Sequence, residues 1–352
     1  MKNSAGASAG LPAWLIHSTV FVTGAAVMLI ELLGTRVIAP FYGTSLYVWS
    51  ALIAVTMVSL SLGYYWGGIL ADRYEQKLFS WLLMAASLGV FGIPLMDAQV
   101  LSLTDPLGLR LGSLASAFIL FMPSLVALGM AGPVAVKVGT KDLERLGVSA
   151  GRLYAVSTIG SVAGTFLLAY LLFPTFGTNA ILLTLGSGLL LIAFFHVSRG
   201  RWQRSDVIMG LICVAIGAMA ILDQNAAQKP MSSKGFSVIS EHESLYGKVR
   251  VIDNPLQDLR LLSSDASVIG AASIGTGQNR LTYQQIVGLL PLMHGGMSRA
   301  LVIGQGAGHM AGDLFTRHGV PVDTIELDPA VADAAEHHFG FVKSGLQIIG
   351  DG

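Results

Sequence analysis

The sequence predicts a polytopic α-helical membrane bundle of about seven spans, then a small antiparallel β cap and an incomplete Rossmann-like α/β nucleoside-binding domain. Three observations predict it. Of the 352 residues, 53% are hydrophobic and 12% charged, with a mean hydropathy of +0.65, whereas about a quarter of a soluble domain is charged. Apolar stretches of spanning length fill the chain as far as Asp223. Beyond it the pattern becomes that of strands and turns, with a strand-loop-helix unit at Ala300-Leu-Val-Ile-Gly-Gln-Gly-Ala-Gly-His309.

A helix crossing a bilayer needs ~20 mostly apolar residues, because its backbone amides must be satisfied internally where water is absent. Seven segments qualify, at about 14–35, 48–71, 78–96, 111–134, 152–173, 178–197 and 206–222. They are separated by polar or Pro/Gly breaks such as Asp72-Arg73-Tyr74-Glu75, Thr104-Asp105-Pro106 and Pro174-Thr175-Phe176-Gly177. Residues 1–10 lack the basic start of a signal peptide and no Ala-x-Ala-like site follows the first span, so that span is expected to be retained.

Lys and Arg in loops are held on the cytoplasmic side. The N-terminus and the even-numbered loops carry Lys2, Arg73, Lys77, Lys137, Lys141, Arg145, Arg152, Arg199, Arg201 and Arg204, against Arg36 and Arg110 in the others. Ten against two places the N-terminus in the cytoplasm, in a cell (inner) membrane. An odd number of spans then puts the C-terminal domain on the opposite face, unless one span is missed or re-entrant.

Within the bundle, Glu31 and Arg36 are ionisable groups at or near membrane depth, read either as functional or as an interfacial pair. Gly67-Gly68-Ile-Leu-Ala-Asp72-Arg73 is similar to a loop motif of major facilitator transporters, and also reads as a glycine-assisted turn with a charged cap. Ser157, Gly160, Ser161 and Gly164 share one helical face and predict close helix packing.

A linker is expected at 224–235, then the β cap over 236–281. Phe236–Ser240 and Gly247–Asp253 read as strands, Asn254-Pro255 as a turn and Leu259–Leu262 as the returning strand. A helix is predicted from Thr282 to Met293, with Thr282 as N-cap and Gln285 completing a capping box. The nucleoside-binding domain, 282–352, continues as strand Ala300–Ile303, helix Met310–His318, strand Val322–Leu327, helix Pro329–Phe339 and strand Leu346–Ile349. It is expected to be truncated at Gly352, with an unpaired sheet edge and poor stability on its own.

Glycines after a first parallel strand let backbone amides approach a ligand at a helix N-terminus, and an acid ending the next strand is placed to accept ribose hydroxyls. Gly304, Gly306 and Gly308, with Glu326 and Asp328 ending the second strand and Asp351 after the third, form such a set. The spacing does not separate a dinucleotide from an S-adenosylmethionine-type ligand. From Gln224 onward, nine Lys/Arg stand against twelve Asp/Glu, a balance of −3 with no basic run, which argues against nucleic acid and suits a cationic substrate. Cys213 is the only cysteine, so neither a disulfide framework nor a Cys-based metal site is available, and no metal is expected.

Tyr246-Gly-Lys-Val-Arg-Val, Thr282-Tyr-Gln-Gln285 with Leu289-Leu-Pro-Leu292, Leu301-Val-Ile-Gly-Gln-Gly-Ala-Gly308, Ile325-Glu-Leu-Asp328 and Gly350-Asp-Gly352 follow one another in the order of spermidine synthases. The membrane half adds Glu31-Leu-Leu-Gly-Thr-Arg36, Gly68-Ile-Leu-Ala-Asp-Arg73 and Gly151-Arg-Leu-Tyr-Ala-Val-Ser-Thr-Ile-Gly160. The chain thus resembles the membrane-fused branch of that polyamine aminopropyltransferase family. The resemblance implies Tyr283 and Gln284 at a substrate cleft, Glu326 on the ribose of decarboxylated S-adenosylmethionine as co-substrate, and Asp351 on the adenine. Two departures stand out. Ala307 replaces the family's loop carboxylate, and the downstream Asp that activates the amine is not in this chain, which leaves the catalytic residue unknown.

The resemblance implies aminopropyl transfer to putrescine or a related amine by a protein embedded in the lipid bilayer, with a homodimer as a possible assembly. Two rivals remain open at this point: a non-catalytic polyamine transporter or sensor with a nucleoside-binding domain, which Ala307 favours, and an S-adenosylmethionine-dependent methyltransferase.

Overall fold

The computed structural model describes residues 11–74, 77–140, 143–199, 203–226, 235–293 and 296–352. Lys2, Lys141 and Arg201 of the loop-charge count, and most of the expected linker, lie outside these residues. The described chain divides into two compact units, one of residues 11–38 and 45–226, the other of 39–44 and 235–352.

The described residues of the first unit form helices: α1 Ala13–Tyr42, whose last four residues fall in the second unit, α2 Leu46–Tyr74, α3 Lys77–Thr104, α4 Gly108–Gly139, α5 Leu146–Leu167, α6 Thr178–Ser198 and α7 Arg204–Ala226. Helix is the only conformation that satisfies every backbone group of such apolar runs from within. Among the described residues, six helical stretches are long and apolar enough to cross a membrane, the third being Lys77–Gly139 with 63 residues. That stretch is interrupted by a tight turn at Asp105–Leu107, where Pro106 removes a backbone donor. Its halves α3 and α4 pack against each other, so it supplies two helices. The third expected span ends at about residue 96, but α3 runs to Thr104, because the single charge at Asp97 does not stop a helix and Pro106 does.

One expectation is corrected here. No turn forms at Gly67-Gly68; α2 continues through Asp72 and Arg73 to Tyr74, and Gly67 instead admits the backbone of Met130, whose Cα would lie 2.7 Å from a Cβ at that position. Asp72 pairs with Lys137 at 2.8 Å with both side chains more than half exposed, an ion pair of small energetic weight. The small residues of α5 do meet another helix: a Cβ on Gly160 would collide with the carbonyl oxygen of Phe21 in α1. The Ser161 hydroxyl donates to the Gly24 carbonyl at 3.0 Å. Arg36 lays its guanidinium 4.8 Å from the ring centroid of Phe173, and Thr56 hydrogen-bonds Glu31. Asp206 is buried at the start of α7, accepting from the Trp81 indole at 2.8 Å and the Gln203 amide at 3.0 Å.

The second unit begins with an antiparallel sheet of β1 Ser237–Glu243, β2 Lys248–Asn254, β3 Leu259–Ser264 and β4 Ser267–Ala272, paired in chain order. β4 is an addition to the expected strands, because Gly270, Ala271 and Ala272 carry little strand preference. It follows a two-residue turn at Asp265-Ala266 and pairs Leu262 with Gly270. Inward residues Val249, Val251 and Leu262 pack on Ala307, Val331 and Ala334. The helix expected over 282–293 is broken at Gly288 into α8 Thr282–Val287 and α9 Leu290–Met293. Leu281, not Thr282, is the N-cap, and the Gln285 amide donates to the Asn279 carbonyl instead of closing a capping box.

A second sheet of three parallel strands follows: β5 Ala300–Ile303, β6 Val322–Glu326 and β7 Gln347–Ile349, in the order β5-β6-β7. Crossover helices α10 His309–His318 and α11 Pro329–Phe339 link them. α10 packs Ala311 and Leu314 on Val322. Each helix ends on a glycine of positive φ, Gly319 at 67° and Gly340 at 66°.

Candidate functional site

The glycine-rich turn between β5 and α10 bends through three left-handed positions, Gly304 (φ 81°), Gly306 (φ 57°) and Gly308 (φ 79°). A side chain would be strained at each of them. At Gly308 a Cβ would also collide with the Phe341 ring. The turn is held against β6 by the Gly304 amide, which donates to the Ile325 carbonyl at 2.9 Å.

Glu326, the last residue of β6, reaches across this turn. Its Oε2 accepts from the Gly306 amide at 3.1 Å and its Oε1 from the Asp328 amide at 3.1 Å, with the residue 8% exposed. A carboxylate offers about four acceptor positions. Two are used to fix its orientation, and two remain for a ligand. Asp328 is committed elsewhere: it caps α11 by accepting from the Ala330 amide at 2.9 Å, and its second oxygen accepts from the Ser244 hydroxyl at 2.5 Å. Asp351 is exposed beyond β7, in a segment tied to β6 by the Gly350 amide, which donates to the Glu326 carbonyl at 2.9 Å. Gly304, Glu326 and Asp351 therefore gather at the carboxyl ends of three adjacent parallel strands, the end where such sheets bind ligands.

Tyr283 and Gln284 belong to α8, which packs on α10. Tyr283 is exposed, whereas Gln284 is buried. The Gln284 amide nitrogen donates to the Tyr283 hydroxyl at 3.0 Å, leaving its oxygen buried without a partner. No expected role covers Gln305. It is 2% exposed, its oxygen accepts from Gln347 at 2.7 Å and from the Thr324 hydroxyl at 3.2 Å, and its amide nitrogen has no partner. A long polar residue between two positive-φ glycines was the available signal.

Ala307 corrects a further expectation. It is 1% exposed and packs in the core formed with Val249, Val251 and Leu262. A Cβ on Gly270 would collide with it. The position replaced in this chain is therefore one where a carboxylate would be buried among apolar side chains.

His309 opens α10 edge-on to Phe339, and burial holds its imidazole below the ordinary value, with Asp313 opposing. The ordinary value is ~6.5. A depressed folded pKa means that the unfolded chain takes up the proton first. Stability from the neutral ring is then complete above pH ~6.5 and is lost as the pH falls from there through the lower folded value. Protease resistance of the 235–352 region should therefore drop on acidification below pH ~6.5, and His309→Gln should make that drop shallower. An identical acid profile for the two proteins contradicts the assignment.

No family model matches the chain. A 138-residue region is 28% identical to the N-terminal histidine N-methyltransferase of Emericella nidulans, covering 34% of this chain and 25% of that protein. The match thus spans about a quarter of the relative's length. These findings correct the resemblance to spermidine synthases, and with it aminopropyl transfer and a role in polyamine biosynthesis: the similarity found is to a methyltransferase. Nor do they support a polyamine transporter or sensor. The physical reason is visible at the turn, where short glycine and acid strings fit any nucleoside site of this shape and the buried Ala307 holds no donor amine.

Proposed function

We propose that residues 235–352 form a Rossmann-like site for an S-adenosylmethionine-type co-substrate and that the protein is a methyltransferase carried on a membrane-spanning bundle. The observation that carries this reading is the Glu326 carboxylate, fixed across the Gly304–Gly308 turn with acceptor positions left over. Backbone of Gly304 and Gly306 approaches the nucleoside, Glu326 accepts its ribose hydroxyls, and Asp351 stands where an adenine amino group would be met. The co-substrate supplies a methyl group made electrophilic by its sulfonium. The acidic balance of this region suits that cation. Tyr283 and Gln284 are the side chains we assign to the acceptor.

The similarity to an N-terminal histidine N-methyltransferase makes a peptide with an N-terminal histidine the first acceptor to test. The full chain in nanodiscs, given methyl-labelled S-adenosylmethionine, should move label to that peptide and release S-adenosylhomocysteine. Neither product forming with histidine-initiated peptides or free amines contradicts methyl transfer.

We further propose that the helices cross a cell membrane with the N-terminus in the cytoplasm. Thr104 is a poor labelling position, being buried with its hydroxyl bonded to the Val100 carbonyl at 2.9 Å. Leu107 and Glu144 are exposed between helices, and Cys213 is buried. An impermeant thiol reagent should label Leu107→Cys but not Glu144→Cys on intact cells, and the reverse pattern refutes the orientation. A cytosolic methyl donor also requires exposed Lys343→Cys to be protected, which a cytoplasmic N-terminus allows only if an even number of the helices cross.

A further inference from the structure

Glycines fix two close helix crossings in the first unit. At one, α1 and α5 meet through Gly160 and through Gly164, where a Cβ would lie 2.9 Å from Cα of Ala25. At the other, α2 and α4 meet at Gly63, where a Cβ would lie 2.6 Å from the Val126 carbonyl oxygen, and at Gly67. Among the residues of these four helices lies a cavity of about 100 Å³. Because backbone contact on either side sets its width, it is a built feature and not a packing defect.

No charged side chain lines it; its polar groups are the hydroxyls of Thr23, Tyr64, Tyr154, Ser157 and Ser161. Thr23 spends its proton on the Val20 carbonyl at 3.1 Å, and Ser161 on that of Gly24. Tyr64 and Tyr154 are each about half-exposed, which leaves the cavity open at their rings. Neither phenol donates to a described residue, so two strong donors remain for an incoming acceptor oxygen. An unpaired charge at membrane depth would be costly, and nothing here neutralises one. A closed cavity of about 150 Å³ can hold benzene; this one is smaller, at about 100 Å³, but open between the two tyrosine rings, so it takes the carbonyl-bearing part of a head while the rest of the molecule lies outside.

We propose that the cavity receives the carbonyl-bearing head of an uncharged lipid-phase molecule of the quinone or ketone class, with Tyr64 and Tyr154 donating to its oxygen. This site stands apart from the nucleoside site, and its test does not depend on methyl transfer.

The probe is a decyl-substituted benzoquinone bearing a photoreactive diazirine, used on the full chain in phosphatidylcholine nanodiscs, with labelled residues mapped by mass spectrometry. Labelling should concentrate on the cavity walls and be displaced by untagged decyl benzoquinone, but not by dodecyl phosphate. The double variant Tyr64→Phe, Tyr154→Phe, which keeps ring volume, should lower displaceable labelling about tenfold. Gly132 lines the cavity, and a Cβ there would stand 3.9 Å from the Tyr64 ring edge, so Gly132→Leu should fill the space and block labelling. An unchanged thermal midpoint identifies the double variant as folded, and it decides the matter if Gly132→Leu does not fold. Labelling scattered over lipid-facing surfaces, undiminished in the double variant, or displaced equally by dodecyl phosphate overturns the proposal.

Discussion

Glu326→Ala lowers the affinity of the full chain for S-adenosylhomocysteine at least tenfold, measured by calorimetry in nanodiscs, while its thermal midpoint shifts far less. The expectation rests on two ribose hydroxyls accepted by one carboxylate, each such bond to a charged group being worth about 1.5–3 kcal/mol. Alanine also releases the Gly306 amide, which now donates to Oε2 at 3.1 Å, so the turn itself loses its brace. Glu326→Gln separates these effects. It keeps an acceptor oxygen for one contact but replaces the other with a donor, so it should bind more weakly than wild type and more tightly than alanine. Unchanged affinity in both variants removes Glu326 from the site and leaves the glycine turn as a purely structural feature.

Ala307→Asp unfolds the second unit. Ala307 is 1% exposed among Val249, Val251, Leu262, Val331 and Ala334, with no cation among them. An uncompensated buried charge costs several kcal/mol, a large part of the ~5–15 kcal/mol by which a domain is stable. Limited proteolysis of the full chain should show rapid cleavage within 235–352, with the helices of 11–226 still resistant. Ala307→Ser, smaller in its demands, should lie between the two. Wild-type protease resistance in Ala307→Asp would mean that the residue turns towards solvent and that a ligand amine can be met there.

The helices were legible because apolar runs of this length can satisfy their own backbone only as helix, so length and apolarity alone locate them, and Pro106 and the Pro174–Gly177 break mark their ends. Boundaries followed the strongest breaker rather than the first charge, which is why α3 passes Asp97. The parallel strands and their crossover helices were legible from spaced glycines and the acids at strand ends. β4 was hidden, because Gly270 and the two alanines after it carry little strand preference, Gly270 being the residue that admits the close approach of Ala307. The burial of Ala307 and Gln284 could not be read either: both depend on how the antiparallel sheet and α10 pack on the turn, which no local pattern encodes. The same limit explains the misleading resemblance. Gly-x-Gly-x-Gly followed by an acid identifies a shape that holds a nucleoside, and the chemistry done on that nucleoside is set by residues outside the motif.

Competition calorimetry between S-adenosylmethionine and a nicotinamide dinucleotide tests the central claim most directly, since both ligands suit a strand-turn-helix site with an acid on the second strand. The account predicts that the full chain in nanodiscs binds S-adenosylmethionine at one site per chain, that S-adenosylhomocysteine displaces it, and that the dinucleotide does not. Tight dinucleotide binding with no heat from S-adenosylmethionine contradicts it.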